Sequence, residues 1–248
     1  MAGLGAWSEQ EVAGHVCDVF EPDAAHDGGF VIVYLHGADM RSLADQPAFA
    51  AELARRGLRV IGPRTGRSWW TDKIYAGFDP RRTAERYVID GVLPYIAERW
   101  GAGPPAVGLL GTEMGGQGAL RLAMKHPRLF PVVAAISPAI DYYQRWNAEE
   151  SLAAMYLDAE AARQDSATLH VHPLNWPRNL WFACDPADPF WCNGADRLRM
   201  KLAALGIPFE CDLDTSADGN REAYERGQAP KAIGFLVDRL EAESRRVV

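Results

Sequence analysis

The sequence predicts an α/β protein: a mostly parallel, twisted sheet with helices on both faces. Two patterns carry this reading. Six short apolar runs, rich in β-branched residues and bounded by Gly, Pro or Asp, recur along the chain, and helix-length segments fill most of the intervals between them. Parallel strands cannot be joined by a hairpin and need a crossover, so this alternation implies a parallel sheet covered on both sides. The length of 248 residues, with 48% hydrophobic and 24% charged, suits one ordinary globular core. The expectation is a single domain over 1-248.

Taken in order, Gly14–Phe20 reads as an antiparallel edge strand and Phe30–His36 as the first parallel strand, with a helix over Gln46–Arg56. Leu58–Pro63 is the second parallel strand. In the helix Thr83–Trp100, the residues Tyr87, Val88, Val92, Tyr95 and Ile96 keep helical spacing and form a core-facing stripe, while Pro94 should kink or restart it. The strand Pro105–Gly111 leads into the helix Glu113–Lys125, and Val132–Ser137 is the next strand. The long interval Pro138–Pro177 holds a helix over Ala148–Arg163 and then Leu174-Asn175-Trp176-Pro177. An insertion of that length is either a small cap over a pocket, at 138-177, or a plain structural excursion. The strand Arg178–Cys184, the helix Gly194–Leu205, the strand Pro208–Leu213 and the helix Ala229–Arg245 complete the chain.

Lys and Arg number 26 against 33 Asp and Glu, a net charge of −7 that opposes undirected attraction to nucleic acid or to an anionic membrane surface. No stretch reaches the roughly 18 apolar residues of a membrane span, and Met1–Gln10 lacks a cationic start followed by an apolar run. The four cysteines, Cys17, Cys184, Cys192 and Cys211, form no CxxC pair and are too sparse for a disulfide framework. A cytoplasmic location follows as the expectation. No cofactor is implied.

The most informative stretch runs from Val107 to Leu120. A strand passes through Gly111-Thr112-Glu113-Met114-Gly115-Gly116-Gln117-Gly118-Ala119-Leu120 into a helix, across a turn framed by glycines. In a G-x-S-x-G nucleophile elbow, small residues at both ends let a strained turn lift one side chain above the sheet edge, beside a helix N-terminus. Here Gly111 and Gly115 supply the frame and Glu113 takes the centre. Together with Leu35-His36-Gly37-Ala38 after the first parallel strand and Ile136-Ser137-Pro138, this stretch resembles the α/β-hydrolase superfamily. It is most similar to the small esterases related to esterase D and feruloyl esterases, whose elbow reads G-x-S-M-G-G-x-G-A-L. The resemblance spans about Phe30 to Leu240.

That resemblance implies a Ser where Glu113 stands, an acid in the loop after the strand ending at Cys184, and a His after the strand ending near Leu213. In Asp185-Pro186-Ala187-Asp188-Pro189, Asp188 falls at the family's triad carboxylate and Asp185 reads as a turn cap. All six histidines, at 15, 26, 36, 126, 170 and 172, precede the segment in which the family keeps its base. The family's G-G-H-S-W-x-Y reads Asp218-Gly219-Asn220-Arg221-Glu222-Ala223-Tyr224, so Asn220 takes the histidine's place. The oxyanion hole implied by the family would use the backbone N–H of Met114 and one at Gly37 or Ala38.

An amide does not take a proton from a hydroxyl at neutral pH, so these residues exclude ordinary serine-esterase chemistry. A carboxylate nucleophile of the kind used by related dehalogenases and epoxide hydrolases needs a His to activate water, and a glutamyl ester here would stall. Two main readings remain, and the sequence favours the first over the second. In one, the chain is a cofactor-independent enzyme on a small organic molecule, with Glu113 as general acid or base. In the other it is a catalytically dead esterase homologue that binds a small ligand or an active relative; a purely structural role is a third. Glu113 can fold back into its own oxyanion hole, and Arg221 can pair with it. The partner expected is a small molecule, with a homo-oligomer also open.

His36 reads as an orienter of the His-Gly turn and as the one histidine near the site. Trp69 and Trp70 read either as walls of an aromatic substrate pocket or as core packing. His170-x-His172 places two rings on one side of an extended segment, but no cysteine or carboxylate cluster accompanies it, so no metal site is assigned. Cys184 and Cys192 flank the acid loop and read as packing.

Overall fold

The computed structural model describes residues 5–246; the first four residues of the Met1–Gln10 stretch lie outside them. In chain order the strands are β1 (Ala6–Val12), β2 (His15–Glu21), β3 (Val31–Leu35), β4 (Arg59–Pro63), β5 (Val107–Thr112), β6 (Val132–Ile136), β7 (Asn179–Ala183) and β8 (Glu210–Asp212). They form one sheet in the order β1-β2-β4-β3-β5-β6-β7-β8. Six of them, β3 to β8, run parallel to their neighbours, and β1 and β2 are antiparallel additions.

The helices are α1 (Pro47–Arg55), α2 (Ala84–Tyr87), α3 (Leu93–Trp100), α4 (Met114–Lys125), α5 (Glu150–Met155), α6 (Ala159–Gln164), α7 (Cys192–Ala204) and α8 (Arg221–Ser244). Side chains alternate across the sheet with the period of two that strands impose. Val31, Val33, Leu35 and Leu109 join one core with α3, α4 and α7, while Ile32, Tyr34 and Leu110 face α1 and α8 on the other side.

The parallel register decides what meets at the sheet's carboxyl edge. Leu35 lies beside Gly111, Thr112 beside Ile136, Ile136 beside Ala183, and Ala183 beside Asp212. The loops after β3, β5, β6, β7 and β8 therefore gather along one edge, where open α/β sheets hold their ligands.

Three expectations change, and one alternative is settled. The Gly14–Phe20 strand is not an edge: β1 covers it, and the polar run Ala6–Val12 carries little apolar signal of its own. Of the two outcomes expected at Pro94, a kink or a restart, the structure shows the restart. A π-helical turn at Val88–Val92 sends the Leu93 N–H to Val88 O, and the helix restarts with Pro94 in its first turn, where a missing N–H costs nothing. The helix at Ala148–Arg163 is two, broken at the extended residue Tyr156, and Asp158 caps the second by accepting the Ala161 N–H at 2.7 Å. The last helix starts at Arg221 rather than Ala229, with Pro230 inside it.

The segment 138–177 is tied to α4 through a buried charge network. Arg121, 1% exposed, pairs with Glu85 and with Asp165. Lys125 and His126 also bond Glu85. Burial alone would raise the Glu85 carboxyl, but His126, Arg121 and Lys125 outweigh it and hold it at about 2.

Candidate active site

The elbow forms at the end of β5 because only glycine fits its two flanks. A Cβ on Gly111 would collide with the Gly115 carbonyl, and one on Gly115 with the carbonyl of Leu35. Between them Glu113 adopts φ +49° and ψ −111°, a conformation that side-chain-bearing residues rarely hold. Its backbone is pinned on both sides: its N–H donates to Ile136 O, and its carbonyl accepts from Gln117 and Ala139.

The Glu113 side chain is 7% exposed. It does not cap the helix that it opens. One carboxylate oxygen, Oε2, accepts the Ala38 N–H at 2.6 Å, and the other, Oε1, lies 3.6 Å from Arg221 Nη1. Of the donors that the sequence reading names, Ala38 reaches the carboxylate, and Gly37 leaves room for it: a Cβ there would sit 3.0 Å from Oε2. Met114 N–H is no partner of that carboxylate.

Arg221 is a hub. Its guanidinium also lies 3.6 Å from Asp39 Oδ2 and 3.8 Å from Glu225 Oε1. Burial pushes the Glu225 carboxyl up to about 7; Arg221 opposes that rise, and Asp39 and Glu113 add to it. The sequence reading missed Asp39 and Glu225. Asn220 followed by an acidic first turn is an N-cap signal, and starting the helix there would have put Arg221 and Glu225 one turn apart on one face.

The two acidic residues after β7 divide their work differently from expectation. Asp185 does close its own turn by accepting the Ala187 N–H at 2.9 Å. It also spans to the loop after β8, accepting from Ser216 Oγ at 2.8 Å, Ala217 N–H at 2.9 Å and Gly219 N–H at 3.0 Å. Burial raises its pKa, but these donors outweigh burial and hold it below the usual carboxylate range. Asp188, assigned the triad position, instead accepts the N–H groups of Phe190 and Trp191, at 2.7 and 3.0 Å, at the foot of α7. The reason is placement: Asp185 follows the sheet edge directly, beside β8, whereas Asp188 has already turned toward the helix.

Asn220 is exposed, and its Oδ1 caps α8 by accepting the Ala223 N–H at 3.0 Å. Its amide serves the helix and not the elbow.

His36 is buried with both ring nitrogens occupied. Nε2 accepts the Thr65 N–H at 3.2 Å, so Nδ1 carries the proton toward Gly37 O at 2.9 Å. Burial lowers its pKa. Trp69 and Trp70, 1% and 0% exposed, are core packing rather than walls of an open pocket. Trp70 donates to His36 O at 3.1 Å; Trp69 donates to Ser151 at 3.1 Å and stacks on Tyr142. Both residues adopt positive φ.

Among the described residues, no imidazole nitrogen has a side-chain hydroxyl or thiol as its recorded partner. His15 faces Asp79, His26 faces Glu241, His126 faces Glu85 and His170 faces Asp165, while His172 accepts the Leu174 N–H. His170 and His172 thus have separate partners, and no group of three or more His, Cys, Asp or Glu among the described residues is disposed to hold a metal ion. Burial pushes the Cys184 and Cys192 thiols up, away from thiolate character.

The family described as "Putative esterase" matches residues 18–203, a segment that takes in the elbow and the 185–188 loop and ends before Asn220. No curated protein matches the sequence closely enough to count as a relative. Among solved structures, a fluorophosphonate-binding serine hydrolase of Staphylococcus aureus superposes with TM-score 0.75 at 15% identity, covering 95% of this chain and 99% of its own. A ferulic acid esterase gives 0.72 at 14% identity over 95% of this chain and 98% of its own. An S-formylglutathione hydrolase from Agrobacterium tumefaciens gives 0.68 at 17% identity, over 100% of this chain and 98% of its own. At such identities the likeness establishes the α/β-hydrolase fold.

Proposed function

We propose that this chain, which belongs to the esterase family matched over residues 18–203, is a member that does not hydrolyse acyl esters and uses its fold to bind a small molecule or an active relative. The observation that carries the reading is the Glu113 carboxylate seated on the Ala38 N–H at 2.6 Å, with Arg221 3.6 Å away. In an oxyanion hole, such an N–H stabilises charge that develops on the substrate's carbonyl oxygen. A side-chain carboxylate is a charged acceptor that is always present and competes for that donor. The rest of the edge supports the same reading. Asn220 caps a helix, His36 has both nitrogens engaged, and neither supplies a base to the elbow.

A second reading, proton transfer by Glu113 on a small organic substrate, has one observation in its favour. The neighbouring Glu225 carboxyl, pushed up to about 7, shares Arg221 with Glu113 and lies in the range suited to proton exchange at neutral pH.

The test is covalent labelling with a fluorophosphonate probe together with turnover of a short-chain p-nitrophenyl ester, on the native protein and on Glu113→Gln. The proposal expects neither protein to be labelled and neither to exceed the buffer rate. Labelling of the native protein overturns it. So does turnover of the ester by the native protein above the buffer rate.

A further inference from the structure

A cavity of about 230 Å³ lies between the start of α1 and the first turns of α8, lined by Arg41, Gln46, Pro47, Phe49, Glu225 and Arg226 among others. It sits beside the elbow's charge hub and shares Glu225 with it. The Glu225 side chain is 9% exposed and makes no hydrogen bond among the described residues; Arg221 Nε, at 3.8 Å, is its ion-pair partner. A carboxyl that is ion-paired only at 3.8 Å and makes no hydrogen bond leaves room on a cavity wall for a ligand to supply one.

The positive side of the cavity is equally open. Gln46 makes no side-chain cap for α1, and the first backbone bond at that end runs from Ala50 N–H to Gln46 O. The N–H groups of Ala48 and Phe49 therefore have no acceptor among the described residues, and they carry the positive end of the helix. Arg226 has no ion-pair partner among the described residues, and Arg41 is held by Glu222 only at 3.6 Å.

We propose that this cavity binds a small monocarboxylic acid, its carboxylate facing Arg226, Arg41 and the start of α1 within hydrogen-bonding reach of the Glu225 carboxyl, its hydrocarbon part lying on Pro47 and Phe49. The groups facing Glu225 are Arg221 and Glu222 from its own helix, Asp39 and Arg41 from the loop after β3, Glu113 from the elbow and Tyr34 from β3. A dianionic phosphate would bring a second charge against Asp39, Glu113 and Glu222, whereas a monocarboxylate adds one charge and shares one proton. An ammonium would meet the guanidinium groups of Arg41 and Arg226 and a helix N-terminus. Burial holds the Glu225 proton up to about 7, so below that pH the donor is already in place, and above it the ligand must bind together with a proton from solution.

Isothermal titration of the full chain tests this, with benzoate, benzamide, benzylamine and inorganic phosphate as probes at pH 6 and pH 8, in two buffers of different ionisation enthalpy. Benzoate should bind, should weaken roughly tenfold between those pH values, and should take up a proton at pH 8. Glu225→Gln keeps a donor that cannot titrate. It should still bind benzoate, without pH dependence and without proton uptake. Arg226→Glu should weaken benzoate at least about tenfold, as expected for reversing a charge beside the bound anion. Circular dichroism melts show that the variants are folded. The proposal is overturned if the folded native protein binds no benzoate, if benzylamine, benzamide or phosphate binds in preference, or if Glu225→Gln leaves the pH dependence intact.

Discussion

The carboxylate of Glu113 and the amide of Ala38, 75 residues apart in sequence, meet at 2.6 Å. The contact follows from the parallel pairing of β3 with β5, which sets Leu35 beside Gly111 and so brings the next residues of both strands to the same edge. Gly115 completes the fit by letting the first turn of α4 pass against the Leu35 carbonyl. An elbow that serves other members of the fold by exposing a nucleophile here closes on itself.

Removing the carboxylate should therefore weaken the fold and not only the site. Glu113→Ala leaves the Ala38 N–H and Arg221 without this partner and should lower stability in urea by about 1–3 kcal/mol. Glu113→Gln retains an oxygen acceptor and should cost less. A larger loss for Gln than for Ala would show that the N–H bond contributes little.

Asp185 and Asp188 should separate cleanly. Asp185→Ala removes four hydrogen bonds, three of which join the end of β7 to the loop after β8, and their loss should cost on the order of 3 kcal/mol. Asp188→Ala removes bonds to two N–H groups near the surface and should cost about 1 kcal/mol, as for a helix cap. Urea melts of both variants at pH 7 give the comparison, and equal losses would refute the assignment of the spanning role to Asp185.

Arg121→Met should be strongly destabilising, by about 3–5 kcal/mol, because two carboxylates then lose the guanidinium between them. Double substitution of Arg121 and Glu85 by apolar residues should recover part of that loss. The coupling energy of the cycle reads it directly.

The dependence on pH has two opposed arms. Glu85 is held at about 2, below its ordinary value, so its contribution is present above about pH 4.5 and is lost as pH falls through its folded pKa. Glu225 is displaced the other way. Its folded form favours the proton, so its contribution is present below about pH 4.5 and is lost as pH rises through about 7. Glu225→Gln should therefore gain stability over the native protein between pH 6 and pH 8, by up to about 3 kcal/mol. Denaturant midpoints across that range give the answer, and a gap that stays constant with pH would contradict it.

The central sheet is legible because most of its parallel strands are short buried runs that need no partner to be recognised, β8 being the partly exposed exception. Val31–Leu35 and Val132–Ile136 are buried throughout. The strand Ala6–Val12 is hidden because most of its residues face solvent, so its sequence lacks an apolar stripe. The early start of the last helix is hidden for a different reason. Ala229-Pro230 looks like a first turn, where proline is favoured, yet Pro230 lies inside α8.

By itself the sequence determined the α/β alternation, the glycine frame of the elbow, the carboxylate at its apex, and the lack of a histidine beyond residue 172. These are matters of residue type and local spacing, which backbone sterics translate without help from distant contacts. Only the tertiary structure decided that Asp185, and not Asp188, spans to the loop after β8, that Asn220 is spent on a helix cap, that Trp69 and Trp70 are sealed in the core, and that Glu113, Asp39 and Glu225 share Arg221. Such pairings depend on strand order and register, which place loops far apart in sequence within hydrogen-bonding distance, and no local pattern in the chain encodes that proximity.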